Sequence, residues 1–291
     1  MNAAVQQALR PSSWQTAEPS ALAPETSRVL PSGNRMPLLG LGTWELQVHT
    51  TETVCSALEL GFRMLDSSPE YHTQRGIGAA IRACGFERHD IYVITQVEPL
   101  GDAYAALHKN LSQLKLDYVD LVLFHLPKGD HRDDAGELAW QGLRRAKRDG
   151  LTRDIGVSGY SIEPIEELVY RTGEMPAVNQ IEWSPFGHSP RMLDFCRDND
   201  IVIQARSPLT RATRLNDDKV AAMAARYGKT PAQLLIRWNL QIGVVPLPKA
   251  NHVQHLRENL GVFNFEITPV DMARLNALNE HYSVRQGLPY V

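Results

Sequence analysis

The feature that most constrains this chain is a beat. Short apolar runs alternate with amphipathic stretches along nearly its whole length. Runs with strand character fall at 62–65, 91–95, 118–124, 154–157, 177–181, 201–205 and 243–246, and 40–42 belongs to a first strand ahead of them. Between the runs, apolar residues recur at i, i+3 and i+4 over 51–60, 103–114, 136–148, 165–171, 190–199, 220–227 and 232–240, with a further helix over 252–260. Strands alternating with helices predict parallel βαβ units. A doubly wound sheet carries a GxGxxG loop after its first strand. Here that stretch is Leu39-Gly40-Leu41-Gly42-Thr43-Trp44, which lacks the third glycine and puts an indole where a phosphate would approach. The expected architecture is an α/β fold, a closed (β/α)8 TIM barrel, preceded by a short hairpin whose arms, 29–30 and 36–39, flank the turn 31–34.

The chain has 291 residues, room for one barrel of about 250 and little more. Residues 1–27 have neither a basic start nor an apolar stretch of signal-peptide type, and read as an N-terminal extension to a single domain spanning 28–291. Thirty Lys and Arg against 33 Asp and Glu leave a net charge of -3, so no basic excess exists to neutralise phosphates and a nucleic-acid binder is not expected. No uncharged apolar run approaches the ~20 residues of a membrane span. The three cysteines, Cys55, Cys84 and Cys196, form no CxxC pair. The expected context is a reducing cytoplasm, without a disulfide framework or a metal site. A small-molecule substrate and a monomer or weak dimer are the expected partners.

A barrel concentrates its chemistry at the C-terminal ends of its strands. Those ends hold Asp66 with Tyr71 five residues on, His125, Ser158, Gln180, Arg206 with Ser207 and Leu209, and Lys249. A phenol, an imidazole and a carboxylate on one rim suit proton transfer beside a developing oxyanion.

These residues sit within stretches that together resemble the aldo-keto reductase family over about 28–278. They include Met36-Pro37-Leu38-Leu39-Gly40-Leu41-Gly42-Thr43-Trp44, Gly61-Phe62-Arg63-Met64-Leu65-Asp66 and Leu116-Asp117-Tyr118-Val119-Asp120-Leu121 leading to His125. Ile155-Gly156-Val157-Ser158, Asn179-Gln180-Ile181-Glu182, Lys229-Thr230-Pro231-Ala232-Gln233 and Pro248-Lys249 with Glu258-Asn259 follow in order. The resemblance implies NADP(H)-dependent reduction of a carbonyl, with Asp66, Tyr71 and His125 as catalytic residues and Tyr71 as the general acid. It implies cofactor contacts from Ser158, Gln180, Arg206, Ser207, Leu209, Lys249, His255, Glu258 and Asn259. Trp44, Glu98 and Leu126 fall at substrate-side positions, and the C-terminal tail is expected over the mouth.

The chain departs from the family pattern at the end of the third strand, where Gln96 stands in the position of the catalytic lysine. An ammonium ~4 Å from a phenol, at an effective dielectric of about 20, favours the phenolate by up to about 4 kcal/mol. An amide supplies no such charge. The expected result is weak turnover of ordinary aldehydes. An imine is the second expected substrate class, since a cationic iminium gains nothing from a lysine. A redox-neutral isomerase or lyase, or a non-catalytic nucleotide-binding protein on the same barrel, are the competing readings.

Overall fold

The computed structural model describes residues 22–46, 48–98, 101–125, 134–284 and 288. Strands β3 (Leu41–Gly42), β4 (Met64–Asp66), β5 (Tyr92–Val97), β6 (Val119–His125), β7 (Thr152–Ser158), β8 (Val178–Glu182), β9 (Val202–Arg206) and β10 (Val245–Pro246) form one parallel sheet in sequence order. Backbone bonds from Gly40 N to the Pro246 carbonyl (3.2 Å) and from Gly42 N to the Pro248 carbonyl (3.0 Å) join its first and last strands into a cylinder. A Cβ on Gly42 would lie 2.8 Å from the Leu247 carbonyl oxygen, so this seam admits only glycine there. The hairpin β1 (Ser27–Val29) and β2 (Arg35–Pro37) pairs antiparallel, and its Leu30 and Met36 are packed with the barrel-interior cluster.

Side chains alternate between the barrel interior and the helix-facing side. On β6, Leu121 and Leu123 face inward while Val122 and Phe124 pack against the helices. Met64, Tyr92, Ile94, Val178 and Val202 share the interior. The same alternation carried two residues toward the C-terminal ends puts Asp66, Gln96, His125, Ser158, Gln180 and Gln204 on the inner face. The interior below the mouth is mainly apolar, apart from the buried Asp154, which accepts from Asn34 Nδ2 at 2.7 Å, and the mouth is polar.

The helices are α1 (Thr50–Leu60), α2 (Gln74–Ala83), α3 (Ala103–Leu114), α4 (Asp134–Arg148), α5 (Ile162–Thr172), α6 (Pro190–Asp198), α7 (Asp218–Arg226), α8 (Pro231–Gln241), α9 (Val253–Leu260) and α10 (Pro269–Asn276). Their starts are chemically marked. Asp102, Ser189, Asp217 and Thr268 accept from first-turn amides, and Thr230 with Gln233 forms a capping box ahead of α8. The sequence pattern missed α2 and α10. In α2 the helical signal is diluted by Gly76 and Gly78, which let the backbone approach its neighbours. A Cβ on Gly78 would meet the Leu114 carbonyl oxygen at 1.8 Å, and one on Gly76 would meet Thr50 Cβ at 2.6 Å.

The expectation of no disulfide is overturned. Cys55 on α1 and Cys84 just past α2 are bonded, with Cα atoms 5.8 Å apart. The cysteines are 29 residues apart in sequence, and only the packing of α1 on α2 brings them together. Cys196 is a buried free thiol whose pKa burial pushes above its ordinary value. Trp14 lies outside the described residues. Leu22, part of the expected extension, packs against the main core, and Ser27 already belongs to β1.

Candidate active site

The polar mouth is organised by strand register. His125 is level with Ser158, Ser158 with Gln180, and Gln180 with Gln204. His125 Nδ1 therefore lies 3.3 Å from Ser158 Oγ. From the other side of the barrel, Gln96 Nε2 donates to Gln180 Oε1 at 3.0 Å and approaches the Tyr71 hydroxyl at 3.5 Å. Gln180 Nε2 donates to Asp66 Oδ1 (3.0 Å) and to Gln204 Oε1 (3.3 Å), and Gln204 Nε2 reaches Met36 Sδ at 3.2 Å. Three amides thus form a continuous chain that connects the phenol, the carboxyl and the barrel interior.

Each member is held by its own backbone. Tyr71 ends a 3-10 turn (Pro69–Tyr71) closed by His72 in the left-handed region at φ 55°. The Asp66 carbonyl accepts from Thr43 Oγ1 (2.7 Å), and the Gln96 carbonyl accepts from Asn110 Nδ2 (2.7 Å). Asp66 is 5% exposed. Burial pushes its pKa from 3.8 up to about 7, against the opposing pull of the Gln180 hydrogen bond and the Arg206 charge. A carboxyl with a lysine in ion-pair contact would stay in the ordinary acid range. Here the contact is an amide, which leaves desolvation the dominant effect.

Beside Tyr71 opens a cavity of about 530 Å³. Asp66, Tyr71, Arg206, Ser207, Leu209, Lys249, His255, Glu258 and Asn259 all line it, and so does Trp44. These residues come from strand ends and loops far apart in the chain, and the fold brings them to one trench. His125, Ser158, Gln180 and Gln96 are not on its wall; their side chains belong to the amide and imidazole network instead. Glu98 is exposed at the end of β5 and is likewise off the trench wall, and Leu126 lies outside the described residues.

Two residues of the site escaped the sequence reading. Gln204 was findable, since it stands two places before Arg206 on the inward face of β9. Arg211 had no local signal. It belongs to a loop in which Ser207, Thr210, Arg211 and Ala212 have φ of 52°, 50°, 50° and 65°. Left-handed geometry at such non-glycine residues costs on the order of 1–2 kcal/mol each. Its guanidinium stacks on Trp44, 4.0 Å from the ring centroid, and lines the trench with Arg206, Lys249 and His255. Among the described residues no cluster of three or more His, Cys, Asp or Glu side chains could hold a metal ion.

A parallel eight-stranded barrel with an acid–base cluster at its C-terminal mouth and a cation-lined trench beside it defines an enzyme-type (β/α)8 barrel. The model of the aldo/keto reductase family matches residues 38–280. An aldo-keto reductase of Mycobacterium sp. (strain MCS) is 37% identical over 256 residues, covering 86% of this chain and 90% of the relative. A glyoxal reductase of Bacillus subtilis (strain 168) is 34% identical over 257 residues, covering 86% and 92%. Among solved structures, a Bombyx mori aldo-keto reductase in complex with NADP superposes with a TM-score of 0.82 at 28% identity, covering 91% of this chain and 95% of that one. The chain belongs to the aldo/keto reductase family.

Proposed function

We propose that this protein is an NADP(H)-dependent oxidoreductase that reduces the carbonyl of a small molecule. The observation that carries the reading is the convergence of the phenol of Tyr71, the carboxyl of Asp66 and the three cationic side chains Arg206, Arg211 and Lys249 on one trench of about 530 Å³. The residues present fit a dinucleotide. Lys249 and Arg211 supply positive charge for phosphates, His255 stands on the same wall, and Trp44 and Leu209 supply apolar surface. The bound cofactor supplies a hydride.

The chain's own residues do the rest. Tyr71, 8% exposed at the trench edge, donates the proton that the developing alkoxide requires. His125, oriented by Ser158, offers a hydrogen bond to the same oxygen. Gln96 fixes the Tyr71 hydroxyl without changing its charge. The phenol thus lacks the neighbouring ammonium that would favour its ionised form. Such a site handles an already activated carbonyl better than a simple aldehyde. That preference agrees with relatives named as reductases of glyoxal and, in Yersinia pestis, of methylglyoxal.

A second substrate class is favoured by the neutral amide at Tyr71. An iminium carbon accepts hydride without any proton transfer and is not repelled by Gln96. Fluorescence titration with NADPH, followed by steady-state turnover of a dicarbonyl, a simple aldehyde and a cyclic imine, tests the reading. Binding with dicarbonyl turnover well above aldehyde turnover is expected. Binding with no turnover of any of the three would leave a nucleotide-binding protein, and no binding would leave redox-neutral chemistry.

A further inference from the structure

A cavity of about 740 Å³ opens at the other end of the barrel from the catalytic mouth. Val202 and Val245, on its wall, are the first residues of β9 and β10; β9 ends at Arg206 and β10 runs on toward Lys249. The strand from Val202 to Arg206 spans on the order of 13 Å. Leu193 of α6, Ile242 just past α8 and the hairpin residues Arg28 and Leu30 also line the cavity. Leu30, Val202 and Val245 belong to the barrel-interior cluster, while Leu193 and Ile242 pack against the outer core. The cavity thus reaches from the barrel floor into the helix layer, and its body is apolar. Protein interiors leave few voids larger than a water molecule, and apolar cavities accept apolar guests.

The rim of that body is charged. Among the described residues, the charged groups on the wall are Arg28, Arg197 and Asp200. Arg28 reaches from β1 to donate from Nη1 to the Gly243 carbonyl at 3.1 Å. Gly243 takes a left-handed φ of 81°, and a Cβ there would lie 3.4 Å from the same nitrogen, so the guanidinium has a shaped seat. Burial lowers the Arg28 pKa to about 10, and at Arg28 the push of the Arg197 charge exceeds the pull of Asp200. Arg197 itself pairs at 3.3 Å with Asp194 on its own helix, out in solvent. The seat of Arg28 is therefore short of negative charge, in partly desolvated surroundings where a bound anion gains most.

We propose that this cavity is a second ligand site, built for an amphipathic monocarboxylate. Its aliphatic chain lies between the strand starts and α6, and its carboxylate pairs with Arg28. A planar guanidinium matches a carboxylate in bidentate fashion, and a cavity of this volume suits a small organic ligand. No residue lines both this cavity and the trench, so the site stands apart from the NADP(H) reading. Each methylene buried tightens such a ligand about fourfold.

Isothermal titration of the full chain with octanoate, decanoate and decanol tests the proposal. Saturable one-to-one binding is expected, about tenfold tighter for decanoate than for octanoate. Decanoate is also expected to bind about tenfold tighter than decanol, which lacks the charge. Arg28→Met is expected to bring decanoate down to the affinity of decanol and to leave decanol as it was. Leu193→Trp, which fills the cavity, is expected to abolish binding of both, and Lys249→Met, in the trench, to change neither. Absence of saturable binding overturns the site, whether another part of the chain or a second copy closes it. Binding unchanged in Leu193→Trp overturns it too, as does binding weakened in Lys249→Met, which would put the ligand in the trench. Decanol bound as tightly as decanoate overturns the carboxylate class. Should Leu193→Trp not fold, Ile242→Phe fills the same space from the α8 side, and unchanged binding there overturns the proposal in the same way.

Discussion

The carboxyl of Asp66 gives the sharpest quantitative test of the site. It is buried, its direct partner is the neutral Gln180 amide, and its pKa stands at about 7 against 3.8 for an exposed aspartate. The folded state thus holds a proton that the unfolded state has already released. Stability falls as pH rises from the unfolded value toward the folded one, and the full penalty is present above about 7. Between pH 5 and pH 7.5 this single group is expected to remove about 2.5 kcal/mol, at 1.36 kcal/mol per pH unit of differential protonation. Urea denaturation at the two pH values reads the difference. Asp66→Asn, which cannot titrate, is expected to flatten it. Gln96→Lys is expected to flatten it as well, because an ammonium at ~4 Å stabilises the carboxylate by up to about 4 kcal/mol at an effective dielectric of 20. The same lysine lowers the Tyr71 pKa, and simple aldehyde turnover is expected to rise by one to three orders of magnitude while imine turnover falls. An Asp66→Asn protein with the slope of the unmodified one would refute the protonation argument. Aldehyde and imine turnover rising together in Gln96→Lys would refute the charge argument.

Tyr71→Phe is expected to lower carbonyl reduction at least a hundredfold while NADPH still binds, measured by fluorescence titration beside steady-state rates; retained turnover would remove Tyr71 as the proton donor. Iminium reduction, which transfers no proton to oxygen, is expected to survive in the same variant. Lys249→Met is expected to weaken NADPH about tenfold and to reduce the salt dependence of binding, as the loss of one phosphate contact should. The Cys55–Cys84 bond closes a loop of 29 residues. Chain entropy assigns such a loop about 3.5 kcal/mol, so reduction or Cys55→Ser is expected to lower Tm by roughly 7–14 °C. Three titratable thiols in the unfolded, unreduced protein would show that the bond does not form.

What the amino-acid pattern determined alone is whatever depends on neighbours along the chain. The short apolar runs and the 3.6-residue stretches between them dictate βα units, and the ends of those runs already place Asp66, Gln96, His125 and Gln180 at strand termini. Strand boundaries moved by at most two residues because apolar runs end where the barrel mouth begins. Tertiary structure alone decided the rest. Glycines at 76 and 78 weaken a helical pattern locally; Gly78 is required because the Leu114 backbone passes against α2, and Gly76 lies against the Thr50 side chain. The Cys55–Cys84 bond depends on the distance between two helices. The amide chain from Gln96 through Gln180 to Gln204 depends on strand register, which no single strand encodes. Arg211 meets Trp44, far from it in sequence, through a loop geometry that its own non-glycine residues disfavour.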